Sequence, residues 1–387
     1  MCEAGQKGDK VRSDCWVNFK PGGSGIRIDL TSKVYSMYGD SIQEQVRSVL
    51  KKLGVTDCAI EIIDSGALPF TIAARIETAV RRAGVKVKSS ALPEPIIKKS
   101  ITPQKDKVRR SRLYLPGNEP KFFVNAGLHK PDGVILDLED SVSHSQKDAA
   151  RILVRNALIG VDFMGAEPMV RINQFPEGIE DLEWIVPYGV HVVLIPKCED
   201  SYQVETVDEK IQELNPPEPV FLMPIIESSL GCFHAFEIAN ASPNIVALTI
   251  GLEDYTADIG AQRTKEGKES FWARSIIVNA ARAAGVQPID TVFSDVGDME
   301  GLRESVLEAK GLGFEGKGCI HPRQISVIHE AFSPTPEELE KAKKIVQAFE
   351  EAESKGLGVV SLGTKMIDPP VVKRAQKIVK QAKRSES

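Results

Sequence analysis

The residues of this chain best suited to chemistry are polar side chains that follow short apolar runs between positions 112 and 322. Glu227 follows one run, and Glu253 with Asp254 follows the next, in the stretch LTIGLEDYTADIG. Neighbouring carboxylates repel one another unless a cation lies between them. Hard oxygen ligands suit Mg²⁺, which takes one or two carboxylates and leaves its other positions to water and substrate. Glu227 and Asp254 are therefore predicted to bind Mg²⁺.

Arg171 ends an earlier run and is the candidate for substrate binding. A guanidinium can hold a carboxylate through two parallel hydrogen bonds. Together with a metal and a pair of acids, Arg171 predicts a small oxyacid substrate that is chelated to Mg²⁺. A structural ion pair is the alternative that remains open for this arginine.

Other polar residues at the ends of runs have simpler explanations. A lone acid in such a place is commonly a helix N-cap or a solvated loop residue, which is the expectation for Asp140 and Asp295. His321 precedes Pro322 and is expected to be a hydrogen-bonded structural histidine, and Glu253 is expected to be structural. The prediction of a site therefore depends on several run ends taken together, and not on one motif.

The apolar runs that would position these side chains alternate with amphipathic helical patterns, which is typical of parallel strands joined by crossover helices. Eight runs are present, the number that a (β/α)8 TIM barrel requires. They span residues 112–116, 133–140, 169–173, 192–197, 220–228, 245–254, 290–295 and 316–322. Side chains at the carboxyl ends of barrel strands meet at one face, where the chemistry of such folds lies.

Regions outside the barrel differ in pattern. Residues 1–88 combine alternating strands with two amphipathic helices, which predicts a small α+β domain. Residues 89–110 are charged, rich in proline and without periodicity, and are expected to be a linker. The barrel is assigned to 111–330, and 331–387 forms a C-terminal helical extension or lid that covers its own barrel or reaches a neighbouring subunit.

Composition limits the class of protein. The chain has 387 residues, a formal net charge of −5 and no long basic stripe, which argues against nucleic-acid binding. Its six cysteines are scattered without metal-ligand spacing, as in a reduced cytoplasmic protein. The first residues are polar and lack the apolar core of a signal peptide, and no apolar run is long enough for a membrane span, so a cytoplasmic location is expected.

The second part of the chain resembles the citrate lyase β subunit, the citryl thioester lyase within the Mg²⁺-dependent HpcH/HpaI aldolase and malyl-CoA lyase family. The match begins near residue 107 and runs to the end. The motifs that carry it, in order, are RRSRLYLPGN, VILDLEDSVSHSQKDAAR, VRIN, IPKCED, IIESSLG, GLEDYTADIG, GFEGKGCIHPRQI and GLGVVSLGTKMIDPPVV.

The first part resembles the citrate lyase γ subunit, a small acyl carrier, so the chain looks like a γ–β fusion. In the γ family a serine before an aspartate carries a phosphopantetheine-type arm derived from coenzyme A. Here the matching stretch is KVRSDCWVNF, which places Arg12 at the serine position and Ser13 one place later. Ser13 is the candidate attachment site, and a vestigial carrier is the alternative.

The resemblance also implies roles for individual residues. It assigns the Mg²⁺ ligands to Glu227 and Asp254 and substrate binding to Arg171, with Glu227 close to the substrate. Two further substrate contacts are expected at Asp137 and Arg110. An aspartate in the C-terminal tail of related lyases enters the site of the adjacent subunit, and here it corresponds to Asp368. Asp368 is thus the expected general acid, and a homo-oligomer is implied.

The implied reaction is cleavage of a citryl thioester, on acyl carrier or coenzyme A, into oxaloacetate and an acetyl thioester. A separate acyl transferase, the α subunit, would be the partner. A second possibility is a lyase or thioesterase acting on free malyl-CoA or citramalyl-CoA, which Arg12 favours. A non-enzymatic carrier or scaffold is the third, and the joint presence of Arg171, Glu227, Asp254 and Asp368 argues against it.

Overall fold

A computed structural model of the chain describes residues 2–96, 102–354, 360–362 and 365–385. The N-terminal unit is a mixed sheet of strand order β1-β2-β4-β3, in which β3 and β4 are parallel and the other pairs antiparallel. Alternate residues of β4, such as Ile60 and Ile62, are buried against the two helices. The elements are β1 (Cys2–Ala4), β2 (Cys15–Pro21), β3 (Ile26–Ser32), α1 (Tyr35–Leu53), β4 (Cys58–Asp64) and α2 (Pro69–Arg82).

Eight parallel strands of the described chain close into a barrel, in the order β10-β11-β12-β5-β6-β7-β8-β9. The prediction of a (β/α)8 barrel preceded by a small α+β unit is confirmed. The barrel strands are β5 (Ser111–Pro116), β6 (Gly133–Asp137), β7 (Glu167–Arg171), β8 (Val192–Ile195), β9 (Phe221–Ile226), β10 (Ala247–Ile250), β11 (Gln287–Asp290) and β12 (Gly316–Cys319).

Helices surround the barrel and bury their apolar faces against the outer face of the strands. Three short 3₁₀ turns supplement them at 126–129, 144–146 and 186–188. The helices are α3 (Pro120–Phe123), α4 (Lys147–Gly160), α5 (Gly178–Ile185), α6 (Ser201–Glu213), α7 (Ser229–Phe233), α8 (Ala235–Ala239), α9 (Leu252–Asp258), α10 (Phe271–Ala284), α11 (Met299–Leu312) and α12 (Gln324–Phe332).

The predicted helical extension follows the barrel and is confirmed. Thr335 forms a capping box at the start of the first helix of this extension. The apolar face of that helix, which includes Ala342 and Ile345, packs against the second helix of the extension. Among the described residues, no helix combines the length and the hydropathy that spanning a bilayer requires. The elements are α13 (Pro336–Glu353), β13 (Val360–Leu362), β14 (Lys365–Ile367) and α14 (Pro369–Ser385).

One predicted strand was placed wrongly. The seventh run was assigned to residues 290–295, but β11 ends at Asp290 and no strand follows it before β12. Asp290 is fully buried between the barrel and its helices, where Lys317 and Arg274 bind it. The strand has the sequence QPID, in which Ile289 is the one strand-forming apolar residue, whereas the more apolar VF pair lies in the loop beyond it together with Asp295.

The N-terminal unit is joined to the barrel by helix packing and a buried ion pair. Helix α2 packs against α4, and Glu77 binds Arg155 at 2.7 Å with both side chains fully buried. The expected linker residues that the structure describes, 89–96 and 102–110, contain no helix or strand. They are nevertheless attached to the barrel, because Arg109 is buried and holds Glu167 at 2.7 Å.

Candidate active site

A cavity of about 500 Å³ opens at the carboxyl ends of the barrel strands. Four of the predicted site residues line it, namely Asp137, Arg171, Glu227 and Asp254. The structure therefore brings together side chains that are up to 117 positions apart in the chain, counting from 137 to 254.

Glu227 directly follows β9 and points into the cavity while remaining buried. Burial raises the pKa of the Glu227 carboxyl to about 8, and the charges of Glu139 and Asp254 add to this effect against the opposing charge of Arg171. Gly251 leaves room for it, since a Cβ atom at that position would lie only 2.7 Å from Glu227 Oε1. The glycine before the acidic pair is therefore needed for close approach of the two strand ends.

Asp254 reaches the cavity from a helix and not from the strand. Strand β10 ends at Ile250, and Asp254 lies in the first turn of α9, where the helix dipole favours a negative charge. Its side chain is half exposed, and Lys197 Nζ lies 3.5 Å from its Oδ1. The adjacent Glu253 binds Arg263 instead.

Arg171 is held by two carboxylates of the protein itself. Its Nε and Nη2 donate to Asp137 at 2.7 and 2.8 Å, and its Nη1 lies 2.8 Å from Glu139. The Tyr114 ring lies 5.4 Å from the guanidinium. The structural ion pair considered from the sequence is thus present, and a substrate carboxylate would meet a guanidinium whose position is already set.

Asp137 is the anchor of this arrangement. Burial raises the pKa of its carboxyl, but hydrogen bonds from Arg171 and Ser141 outweigh burial, so that its pKa lies below the ordinary value. The backbone N–H of Glu139 also donates to Asp137 Oδ1 at 3.0 Å. Asp137 therefore stays ionised and holds Arg171 in position.

The donor set at the cavity suits a divalent cation. Glu227 is a buried carboxylate whose charge is disfavoured by neighbouring acids, and Lys197 is the cation drawn towards them. The described residues contain no cluster of three or more His, Cys, Asp or Glu side chains arranged for a metal. Mg²⁺ does not require such a cluster, because one or two carboxylates completed by water and substrate oxygens suffice.

The structure does not place Arg110 at the cavity. Arg110 precedes β5 and binds Asp132, which precedes β6, so both lie at the amino ends of the strands. A second cavity of about 350 Å³ at that end is lined by Arg110. The predicted substrate contact of Arg110 would need it at the opposite end of the barrel.

Asp368 and Ser13 lie away from the cavity lining. Asp368 is exposed and accepts a hydrogen bond from Val371 N at 3.2 Å, which caps α14. Ser13 has a left-handed backbone with φ of 55° and is partly buried. The neighbouring Asp14 binds Arg75, which donates to the carbonyl of Asn118, just past the carboxyl end of β5.

Three residues have no role predicted from the sequence: Arg112 and Tyr114, which line the cavity, and Lys197, which contacts Asp254 beside it. Arg112 and Tyr114 alternate on the inner side of β5 within the run RLYLP, and an arginine among apolar inward positions is the signal that could have identified it. Lys197 adopts a positive φ of 46° that is rare outside glycine, which no sequence pattern indicates.

The fold and the cavity define a (β/α)8-barrel enzyme with an acid-rich site at the carboxyl ends of its strands. Residues 110–322 match the HpcH/HpaI aldolase/citrate lyase family, and residues 5–83 match an acyl carrier family described as malonate decarboxylase delta subunit. The chain belongs to the HpcH/HpaI aldolase/citrate lyase family and is a carbon–carbon lyase.

Relatives agree with this assignment. Citrate lyase subunit beta of Leuconostoc mesenteroides subsp. cremoris is 39% identical over 72% of this chain and 94% of that protein. The mitochondrial citramalyl-CoA lyase of Rattus norvegicus is 34% identical over 72% of this chain and 88% of that protein. The crystal structure of CitE from Mycobacterium tuberculosis with magnesium, acetoacetate and coenzyme A superposes with a TM-score of 0.61 and 31% identity, covering 72% of this chain and all of that chain.

Proposed function

We propose that the chain cleaves a citryl thioester into oxaloacetate and an acetyl thioester in a Mg²⁺-dependent reaction. The observation that carries the proposal is the convergence of Glu227, Asp254 and Arg171 on one cavity at the carboxyl ends of the strands. Citrate lyase β relatives that this chain covers almost completely support it.

In the proposed site Glu227 and Asp254 hold the metal. When bound, Mg²⁺ would polarise the substrate hydroxyl and the carboxylate beside it and lower the pKa of that hydroxyl. Arg171 presents a positive charge to the substrate, and Asp137 with Glu139 keeps its guanidinium in place. A guanidinium already ordered by protein carboxylates loses less conformational freedom when substrate binds.

Cleavage of the carbon–carbon bond leaves a thioester enolate, which must take up a proton on carbon. Asp368 of a second copy of the chain is the proposed general acid. Its exposure at the start of α14, outside the lining of its own cavity, is compatible with a role in a neighbouring site. The proposal therefore includes a homo-oligomer.

The N-terminal unit is proposed as a fused carrier, with residues 1–88 as carrier-like domain, 89–110 as connection, 111–330 as lyase barrel and 331–387 as extension. Ser13 is its attachment site for a phosphopantetheine-type arm, and a separate acyl transferase would supply the citryl group. The link from Asp14 through Arg75 to Asn118 supports this, since it holds the Ser13 segment at the cavity end of the barrel.

A citramalyl-CoA lyase is the second candidate, because a relative of that name is 34% identical and Arg12 stands at the expected serine position. The full chain would be assayed with citryl-CoA through NADH-coupled detection of oxaloacetate, and with citramalyl-CoA through detection of pyruvate. Activity with citryl-CoA that EDTA abolishes and Mg²⁺ restores is expected. Cleavage of citramalyl-CoA or malyl-CoA without cleavage of citryl-CoA would refute the first candidate.

Intact mass spectrometry of the purified chain tests the carrier role separately. A mass increase that the substitution Ser13→Ala removes is expected for an attached arm. An unmodified chain from cells that contain the modifying system would show that the unit is vestigial, without affecting the assignment of the barrel.

A further inference from the structure

Arg112 differs from every other fully buried arginine that the structure describes. Arg75, Arg109 and Arg155 each bind a carboxylate, at 2.9, 2.7 and 2.7 Å respectively. Arg112 is equally buried, yet its Nη1 contacts only Met223 Sδ at 3.0 Å and Thr249 Oγ1 at 3.2 Å. Its Nε is buried with no hydrogen-bond partner among the described residues.

No carboxylate among the described residues forms an ion pair with Arg112. A guanidinium remains protonated in proteins, so burial leaves a full positive charge in the barrel interior. Burial lowers the pKa of Arg112, and Tyr114, Cys319 and Asp290 oppose this effect, but the Asp290 carboxylate is already bound by Lys317 and Arg274. A buried charge of this kind is costly unless a ligand pairs with it.

The location of Arg112 identifies where such a ligand would be. Arg112 lines the same cavity as Arg171 and Glu227. It lies two residues before Tyr114 on the inner side of β5, which places it roughly 7 Å deeper along the strand than Tyr114. The cavity thus carries carboxylates at its rim and an unpaired cation at its floor.

The oxo-acid half of a citryl thioester has two carboxylates. One lies beside the hydroxyl carbon, where Glu227 and Asp254 would present the metal. The second needs another cation, because Arg171, which already binds Asp137 and Glu139, presents its charge at the metal end of the site and Lys197 lies against Asp254 and Glu139. Arg112 is the remaining arginine among the described cavity residues.

We infer that Arg112 is a specificity-determining residue, which binds the distal carboxylate of the oxo-acid half and so selects a dicarboxylic product over pyruvate or glyoxylate. This inference rests on the proposed lyase function of the same cavity. When the wrong substrate leaves a buried hydrogen-bond donor of the site without a partner, the site discriminates strongly against that substrate. Met223 and Thr249 contact Nη1 of the guanidinium, and Nε has no hydrogen-bond partner among the described residues.

The test compares Arg112→Met and Arg112→Lys with the full wild-type chain, using kcat/KM for citryl-CoA and for citramalyl-CoA. Wild type is expected to prefer citryl-CoA. Arg112→Met is expected to lose about ten- to hundredfold of that preference, the range of a charged hydrogen-bond pair, and Arg112→Lys is expected to restore part of it. The matched control is Arg282→Met, which removes an arginine that binds Glu315 at the opposite end of the barrel.

Binding and stability provide readouts that do not depend on turnover. Calorimetry with Mg²⁺ present should show that Arg112→Met loses affinity for oxaloacetate but keeps its affinity for pyruvate. Without ligand, its Tm should equal or exceed that of wild type, because the substitution removes an uncompensated buried charge. A collapsed Tm for both Arg112 variants would assign the residue a structural role and overturn the inference.

The outcomes separate the two proposals. An equal loss on both thioesters, or an unchanged preference, overturns the role of Arg112 and leaves the lyase assignment intact. A wild-type chain that cleaves neither thioester ends the proposed function, and in that case the inference is judged by whether oxaloacetate binding depends on Arg112.

Discussion

Glu227 should make the free energy of unfolding of the metal-free protein fall as pH rises. Burial, reinforced by Glu139 and Asp254, raises its pKa from 4.5 to about 8. A carboxyl whose folded pKa lies above its unfolded value stabilises the fold fully below the unfolded pKa, and that contribution is lost as pH rises through the folded pKa. At 1.36 kcal/mol per pH unit the difference corresponds to a loss of about 5 kcal/mol between pH 4.5 and 8.

The substitution Glu227→Gln removes this penalty, because the amide is neutral at every pH. In EDTA, the free energy of unfolding of Glu227→Gln at pH 8.5 should exceed that of wild type by about 2–5 kcal/mol, allowing for relaxation around the buried site. At pH 5 the two proteins should be nearly equal. Urea denaturation at both pH values measures the difference.

The same proton competes with Mg²⁺. The apparent affinity for Mg²⁺ should rise about tenfold per pH unit from pH 6 to 8 and then level off, because Glu227 must lose its proton to bind metal. Glu253→Gln is the matched control, since Glu253 neighbours Asp254 but binds Arg263. Affinity that does not change between pH 6 and 8, together with a Glu227→Gln protein that is less stable than wild type at pH 8.5, would refute the reasoning.

Three further predictions concern the stability of the fold, Mg²⁺ binding and turnover. Glu77→Gln should lower the free energy of unfolding by about 3 kcal/mol in urea, because it breaks a buried ion pair with Arg155; a loss below about 0.5 kcal/mol would contradict this. Gly251→Ala should weaken Mg²⁺ binding by at least about tenfold in calorimetry, because its Cβ would meet the Glu227 carboxylate at 2.7 Å; unchanged affinity would show that Glu227 is not the ligand in this position. Asp368→Asn should lower kcat for thioester cleavage by about a hundredfold with little change in KM, whereas an effect on Tm alone would assign Asp368 to helix capping.

Much of the barrel follows from local pattern. Apolar runs of strand length that alternate with amphipathic helices indicate a parallel barrel, and the carboxyl ends of its strands must share one face. This is why Glu227, Asp254 and Arg171 could be expected in one cavity, as the structure shows. Strand β11 was placed too late in the chain because its sequence QPID has little apolar character, and the burial of Asp290 at its end is made possible by Lys317 from the next strand.

Details of the site could not be obtained in the same way. The position of Asp254 on α9 depends on where a short strand stops and a helix starts, which the run of apolar residues does not indicate. Arg110 directly follows Arg109 in a recognisable motif, yet its side chain lies at the amino ends of the strands. The two ends of a barrel can be told apart for a given residue only when the first and last residues of its strand are known. Sequence spacing does not give those limits for Arg110.

The sequence by itself determined the class of fold, the set of polar residues at the strand ends and the family resemblance, because these depend on periodicity and residue type. Only the tertiary structure decided which charges are paired. Arg171 is bound by Asp137 and Glu139, whereas Arg112, another arginine of the same barrel, has no carboxylate partner in the part of the chain that the structure describes. Pairing and burial arise from strands distant in the chain that meet across the barrel, and they set the pKa of Glu227 and the cost of the Arg112 charge.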